Sequence, residues 1–124
     1  MEELFNHYAA AFDGLKPELI AALYRLPCAI SDADGVQVFT DTTSLLSKFT
    51  KNCDSLRNLG YQKALFNILS VEPLGQKELL VHVGWRVHTI NSAIDFRALY
   101  ICHHIAQDWF IYSANVYPGT FGHI

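Results

Sequence analysis

The sequence predicts an α+β domain, with helices gathered on one face of a curled antiparallel sheet. Three observations carry that prediction. Apolar residues recur at helical spacing up to Gly60. From Lys77 onward the period changes to two, in runs long enough for long strands. The turn stretches Thr89 to Ala93 and Ala106-Gln107-Asp108 separate those strands.

The elements follow in order. Leu4, Phe5, Tyr8 and Phe12 share one face of a first helix, which ends at Asp13-Gly14. Pro17 suits the first turn of a short second helix with Leu19, Ile20 and Leu23 inside, and Pro27 stops it. Cys28 to Ile30 reads as extended, Asp32 to Gly35 as a turn, and Val36 to Phe39 as extended again. Thr40 or Asp41 caps a third helix carrying Leu45, Leu46, Phe49, Cys53, Leu56 and Leu59, and Gly60 closes it.

Tyr61 to Val71 forms a strand ended by Pro73-Leu74-Gly75. In the next strand Leu79, Val81, Val83, Trp85 and Val87 alternate with Leu80, His82, Gly84, Arg86 and His88, giving one oily and one mixed face. Ile94 to His104 and Trp109 to Tyr117 complete the sheet. The segment 117–124, with two glycines and a proline, is either a free tail or a lid.

Composition narrows the function. At 124 residues the chain makes a single domain, 1–124, and 51% hydrophobic against 17% charged residues excludes disorder and suggests a large internal surface. A net charge of -3 without a basic run argues against nucleic acid as a partner. No apolar run reaches the roughly 18 residues of a membrane span, and Met1-Glu2-Glu3 is acidic rather than signal-like. Cys28, Cys53 and Cys102 are odd in number and lack metal spacing, so buried, reduced thiols in the cytoplasm are expected.

Taken together, the helix with Tyr8, the short helix ending in Tyr24, the strand with an Asp32-to-Gly35 turn, the capped third helix and the Trp109-to-Ile111 final strand resemble the nuclear-transport-factor-2-like superfamily. That group includes ketosteroid isomerases, SnoaL-type cyclases, scytalone dehydratases and non-enzymatic binders. The resemblance covers nearly the whole chain and implies a cone-shaped, cystatin-like fold with three N-terminal helices packed on a strongly curved antiparallel sheet.

Residues 8 to 49 resemble the ketosteroid isomerases most. On that likeness Asp32 stands where the family keeps its proton-shuttling base, Tyr8 where it keeps an oxyanion donor, and Tyr24 on its second-helix tyrosine. Such chemistry needs a base within hydrogen-bond reach of the carbon acid and a donor for the growing negative oxygen. The isomerases add an acidic donor on the penultimate strand; here Ala98 or Tyr100 takes that place, leaving Tyr100 as candidate second donor. Read without the family, Asp32 is equally an ordinary turn acid that binds nearby backbone N–H groups, and Asp34 beside Gly35 is plain turn chemistry.

Trp85, Phe96, Tyr100, Phe110 and Tyr112 are expected on inward-facing strand sides. With Tyr24, Phe49 and Ala98 they would line a cone that holds a small, flat, apolar molecule. His82, Arg86, His88, Arg97 and His103 compose the outer face, and no three histidines show metal-ligand spacing. In this superfamily that outer face commonly pairs two subunits, which implies a homodimer. The expected activity is therefore cofactor-free isomerisation, dehydration or cyclisation; the alternative is a binding or assembly module without activity.

Overall fold

The computed structural model describes residues 1–122, and the last two residues of the tail segment lie outside the described residues. Helix α1 (Glu2–Asp13) and the short α2 (Pro17–Ala21) precede strands β1 (Tyr24–Asp32) and β2 (Gly35–Phe39). Helix α3 (Thr42–Asn58) then leads into four long strands, β3 (Tyr61–Pro73), β4 (Glu78–Thr89), β5 (Ala93–Ile105) and β6 (Asp108–Pro118).

The order across the six-stranded sheet is β2-β1-β6-β5-β4-β3. All neighbours are antiparallel except β1 and β6, which run parallel, a departure from the wholly antiparallel sheet expected. The crossover is a simple one: β1 comes early and β6 last, so the final strand slots between β1 and β5.

Local chemistry sets the helix limits. The Asp41 carboxylate accepts the Ser44 amide at 2.7 Å, capping α3, and Gly60 follows with φ +75°, which a side chain resists. On α1 the buried residues Leu4, Phe5, Tyr8, Ala9 and Ala11 form one stripe against the sheet. Phe5, Ile20, Leu45, Ile111, Val81 and Val83 lie at the bottom of the core, where truncation of such a side chain costs about 2–5 kcal/mol.

Two sequence expectations are corrected. Tyr24 opens β1 rather than ending the second helix, because the Ile111 amide donates to the Leu23 carbonyl at 2.9 Å and sheet pairing takes over there. Pro27 likewise lies inside β1. The register against β6 shifts between Tyr24 and Ala29, where a residue without an N–H cannot join a ladder.

Phe110 and Tyr112 do not face inward. The register of β5 against β6 slips between Ile101 and Cys102, so that Ile111 and Ala114 both point into the core. One extra residue in a strand reverses the faces of those around it. Phe110 accordingly pairs with His103, and the Tyr112 ring stacks on the His103 imidazole at 4.5 Å.

The described part of the tail, through Gly122, is not a lid over the cone. It crosses the outer, convex face of the sheet, where the Arg97 guanidinium donates to the Thr120 carbonyl at 2.9 Å and Phe121 covers the Arg86 guanidinium. Gly84 makes this crossing possible, since a Cβ there would stand 1.9 Å from the Phe121 carbonyl oxygen.

Candidate ligand cavity

Between the helices and the concave sheet lies a cavity of about 290 Å³. A dry cavity of about 150 Å³ accommodates benzene, so this one has room for about two fused rings. Helix α1 contributes Tyr8 and Phe12, α3 contributes Lys48, Phe49 and Asn52, and the sheet contributes Tyr24, Asp32, Trp85, Phe96 and Tyr100.

The cavity thus brings together Asp32, Tyr8, Tyr24, Phe49, Trp85, Phe96 and Tyr100 from the residues singled out in the sequence. Ala98 is fully buried beneath it and is not part of its lining. Phe110 and Tyr112 lie outside it, for the register reason given above.

One wall is a cluster of buried phenols. The Tyr8 and Tyr24 hydroxyl oxygens are 2.6 Å apart, and the Trp85 indole N–H donates to the Tyr100 hydroxyl at 2.9 Å. The Tyr8 and Tyr100 rings pack with their centroids 6.0 Å apart. Burial pushes all three phenols well above the usual tyrosine value, reinforced for Tyr8 by Tyr24. Each therefore keeps its proton and serves as a neutral donor.

At the other wall stands the carboxylate of Asp32. Its Oδ2 accepts from the Lys48 ammonium at 2.9 Å, and its Oδ1 accepts the Asp34 amide at 2.9 Å. The second contact is the turn bond expected of such an acid; the first was not legible. Asp34 is exposed and approaches Lys48 only at 3.8 Å.

Sequence reasoning missed Lys48, Asn52 and Ser55, all cavity-lining residues of α3. The signal was present: Lys48 is three residues after Leu45 and four before Asn52, on the face that carries Phe49 and Leu56. A lysine on an oily stripe is easily taken for one that extends its ammonium to water. Here its head turns inward because the end of β1 offers a carboxylate.

Asp13, at the end of α1, also has a positioning task. Its Oδ1 accepts the Tyr61 hydroxyl at 2.7 Å and the Ala64 amide at 3.0 Å, which ties α1 to β3 at the cavity rim. Among the described residues no three His, Cys, Asp or Glu side chains gather as a metal site, and no helix is long and apolar enough to cross a membrane.

The comparisons with known proteins agree with this architecture. A family model described as "NTF2-like protein (DUF6841)" matches residues 1–119. Among solved structures, a domain of unknown function with a cystatin-like fold from Nostoc punctiforme superposes with a TM-score of 0.79 at 14% identity, over 94% of this chain and 74% of that one. An NTF-2 like protein of unknown function from Shewanella oneidensis gives 0.76 at 14% identity, over 93% of each chain. A ketosteroid isomerase-like protein from Erwinia carotovora atroseptica gives 0.72 at 12% identity, over 93% of this chain and 90% of that one. At such identities the likeness is one of fold. No curated protein matches the chain.

Proposed function

The chain belongs to the NTF2-like family, and from that premise we propose that it encloses one small, flat, largely apolar molecule in its cone and moves a proton on it without a cofactor. The observation that carries this reading is that the Asp32 carboxylate and the Tyr8, Tyr24 and Tyr100 hydroxyls line the same cavity. Asp32 is the base, accepting a proton from a carbon beside a carbonyl and returning it elsewhere on the ligand. The tyrosine wall, read from the sequence as Tyr8 with Tyr100 as second donor, stabilises the oxygen that gains charge. Isomerisation, dehydration and cyclisation share that step. Lys48 neutralises the Asp32 carboxylate at rest and keeps it directed at the cavity wall.

The test needs no knowledge of the natural substrate. Flat bicyclic ketones are incubated with the protein in D₂O, and exchange of the hydrogens beside the carbonyl is followed by proton NMR. Accelerated exchange that disappears in Asp32→Asn, with ligand binding retained, supports the reading. Binding without any accelerated exchange refutes the catalytic part.

A second reading, a ligand carrier or assembly module without activity, draws on one observation: both Asp32 oxygens already have partners within the protein. It predicts binding with no exchange. We further propose a homodimer through the outer sheet face, supported by half-buried apolar positions such as Leu99 and Ile101 there. Light scattering reads the mass directly, and charge reversal at Arg86 or Arg97 would weaken the association. Three free, buried cysteines support a reducing compartment, the cytoplasm, as its location.

A further inference from the structure

Lys48 is the one buried cation among the described residues, at 7% exposure, whereas Lys16, Lys51, Lys63 and Lys77 all stand in solvent. It lines the ligand cavity from α3, with its ammonium 2.9 Å from Asp32 Oδ2 and 3.8 Å from Asp34 Oδ2. A pair that only tied α3 to β1 would be served better by arginine, whose planar fork grips a carboxylate at two points and keeps its proton. A lysine gives its proton up, and the amine that remains is a nucleophile. The base that would take the proton already touches it. The Asp34 amide holds the other Asp32 oxygen at 2.9 Å, so Oδ2 stays turned to the nitrogen. Phe12, Phe49, Leu56 and Val116 line the same cavity, so a ligand that enters displaces water from an apolar place. Loss of that water favours amine beside carboxylic acid over ammonium beside carboxylate.

We infer that Lys48 is a nucleophile that holds the ligand covalently, as a protonated imine, and that the ligand is a flat aldehyde or ketone of up to about two fused rings. The inference rests on the ligand-binding reading above and adds to it a covalent step and a second catalytic residue.

The step balances within the pair and the ligand. Asp32 takes one proton from the ammonium. The freed nitrogen lone pair bonds to the carbonyl carbon, and the C=O π pair moves to oxygen. Asp32 hands its proton to that oxygen and takes a second one from nitrogen, leaving a neutral carbinolamine. It then protonates the hydroxyl, the C–O bond breaks, water departs and the nitrogen lone pair closes the C=N bond. The product is a positive iminium against the Asp32 carboxylate, so the charges of the resting protein are restored with the ligand attached. The iminium withdraws electrons from the adjacent carbon, which makes a C–H bond there more acidic toward the same carboxylate.

The experiment incubates the protein with 2-naphthaldehyde and sodium cyanoborohydride, which reduces an imine to a stable secondary amine. Mass spectrometry of the proteolysed chain then locates and times the label. Lys48 should be labelled about tenfold or more faster than the four exposed lysines, because the cavity holds the aldehyde against its amine. The rate should saturate with aldehyde and fall when naphthalene, which fills the same space without reacting, is added. Naphthalene binding itself is measured by ligand-observed NMR. Lys48→Arg keeps a charge facing Asp32 and should lose the saturable phase while the slow surface labelling persists.

Should Lys48→Arg not fold, the wild-type peptide map decides alone. If naphthalene binds but Lys48 is labelled no faster than the exposed lysines, the covalent step falls while the cavity reading stands. Labelling of Lys48 that naphthalene does not slow overturns the inference, as does a saturable phase that survives in Lys48→Arg. If neither the aldehyde nor naphthalene binds the wild type, the cavity reading falls and takes the covalent step with it.

Discussion

The Lys48 ammonium lies 2.9 Å from Asp32 Oδ2, with 6% of the lysine side chain and 18% of the aspartate side chain exposed. Two opposite charges so nearly removed from water depend on each other: the loss of one partner leaves the other unpaired in a poorly solvated place. Asp32→Asn should therefore destabilise the fold by about 3 kcal/mol, the low end of the range for a buried pair because the aspartate keeps some water. Adding Lys48→Met should recover most of that, since no ammonium is then stranded. Urea unfolding of the two variants checks this. A double variant no more stable than Asp32→Asn would show that the pair is not coupled.

Gly84→Ala should lift the tail from the convex face. A Cβ at 1.9 Å from the Phe121 oxygen cannot be accommodated, and the backbone it meets must move. The expected result is rapid hydrogen exchange at residues 119–122, a cost of about 1–3 kcal/mol as for an overpacked site, and unaltered ligand binding on the concave side.

Acid should act through His82. Burial, and secondarily Arg97, holds its imidazole below the usual histidine value, and it meets the Tyr117 hydroxyl in its neutral form. A group that resists protonation in the fold contributes stability in full above its unfolded value, about 6.5. The contribution declines as pH falls below that value and is gone once the folded value is passed. Melting temperature should thus drop more between pH 7 and 5 for the wild type than for His82→Gln. Equal slopes would remove His82 from the account.

The thiols should report global unfolding. Burial pushes Cys28 up to about 11 and Cys102 up to about 12, and raises Cys53 as well. At pH 8 all three are protonated and out of reach, so a thiol reagent should label them together, at the unfolding rate. Fast labelling of one alone in the native protein would reveal a local opening that the packing does not suggest.

Most of the architecture could be read from periodicity, because long strands with one oily face and helices with one oily stripe leave plain traces. The two failures on the strands have separate causes. Alternation is a rule about unbroken ladders, and the slip near Cys102 breaks it, turning Phe110 and Tyr112 outward; at Tyr24 sheet pairing begins where helical spacing alone had extended the second helix. At the cavity, Tyr8 and Tyr100 were legible from the apolar faces they lie on, whereas Tyr24 and Asp32 came from the family likeness. Lys48 was hidden, since its role depends on a carboxylate sixteen positions away that only the folded chain brings near.

The strap formed by residues 119–122 has a consequence for anything that approaches the convex side. Arg97 is fastened to Thr120, and Arg86 is closed by Asp95 at 2.8 Å beneath Phe121. A visiting molecule meets a surface whose charges are already answered from within, and must either accept the strap as part of its landing ground or peel it away. A fluorophore in place of Phe121 would tell the two apart, dimming or brightening on contact while the ligand hollow on the opposite side goes undisturbed.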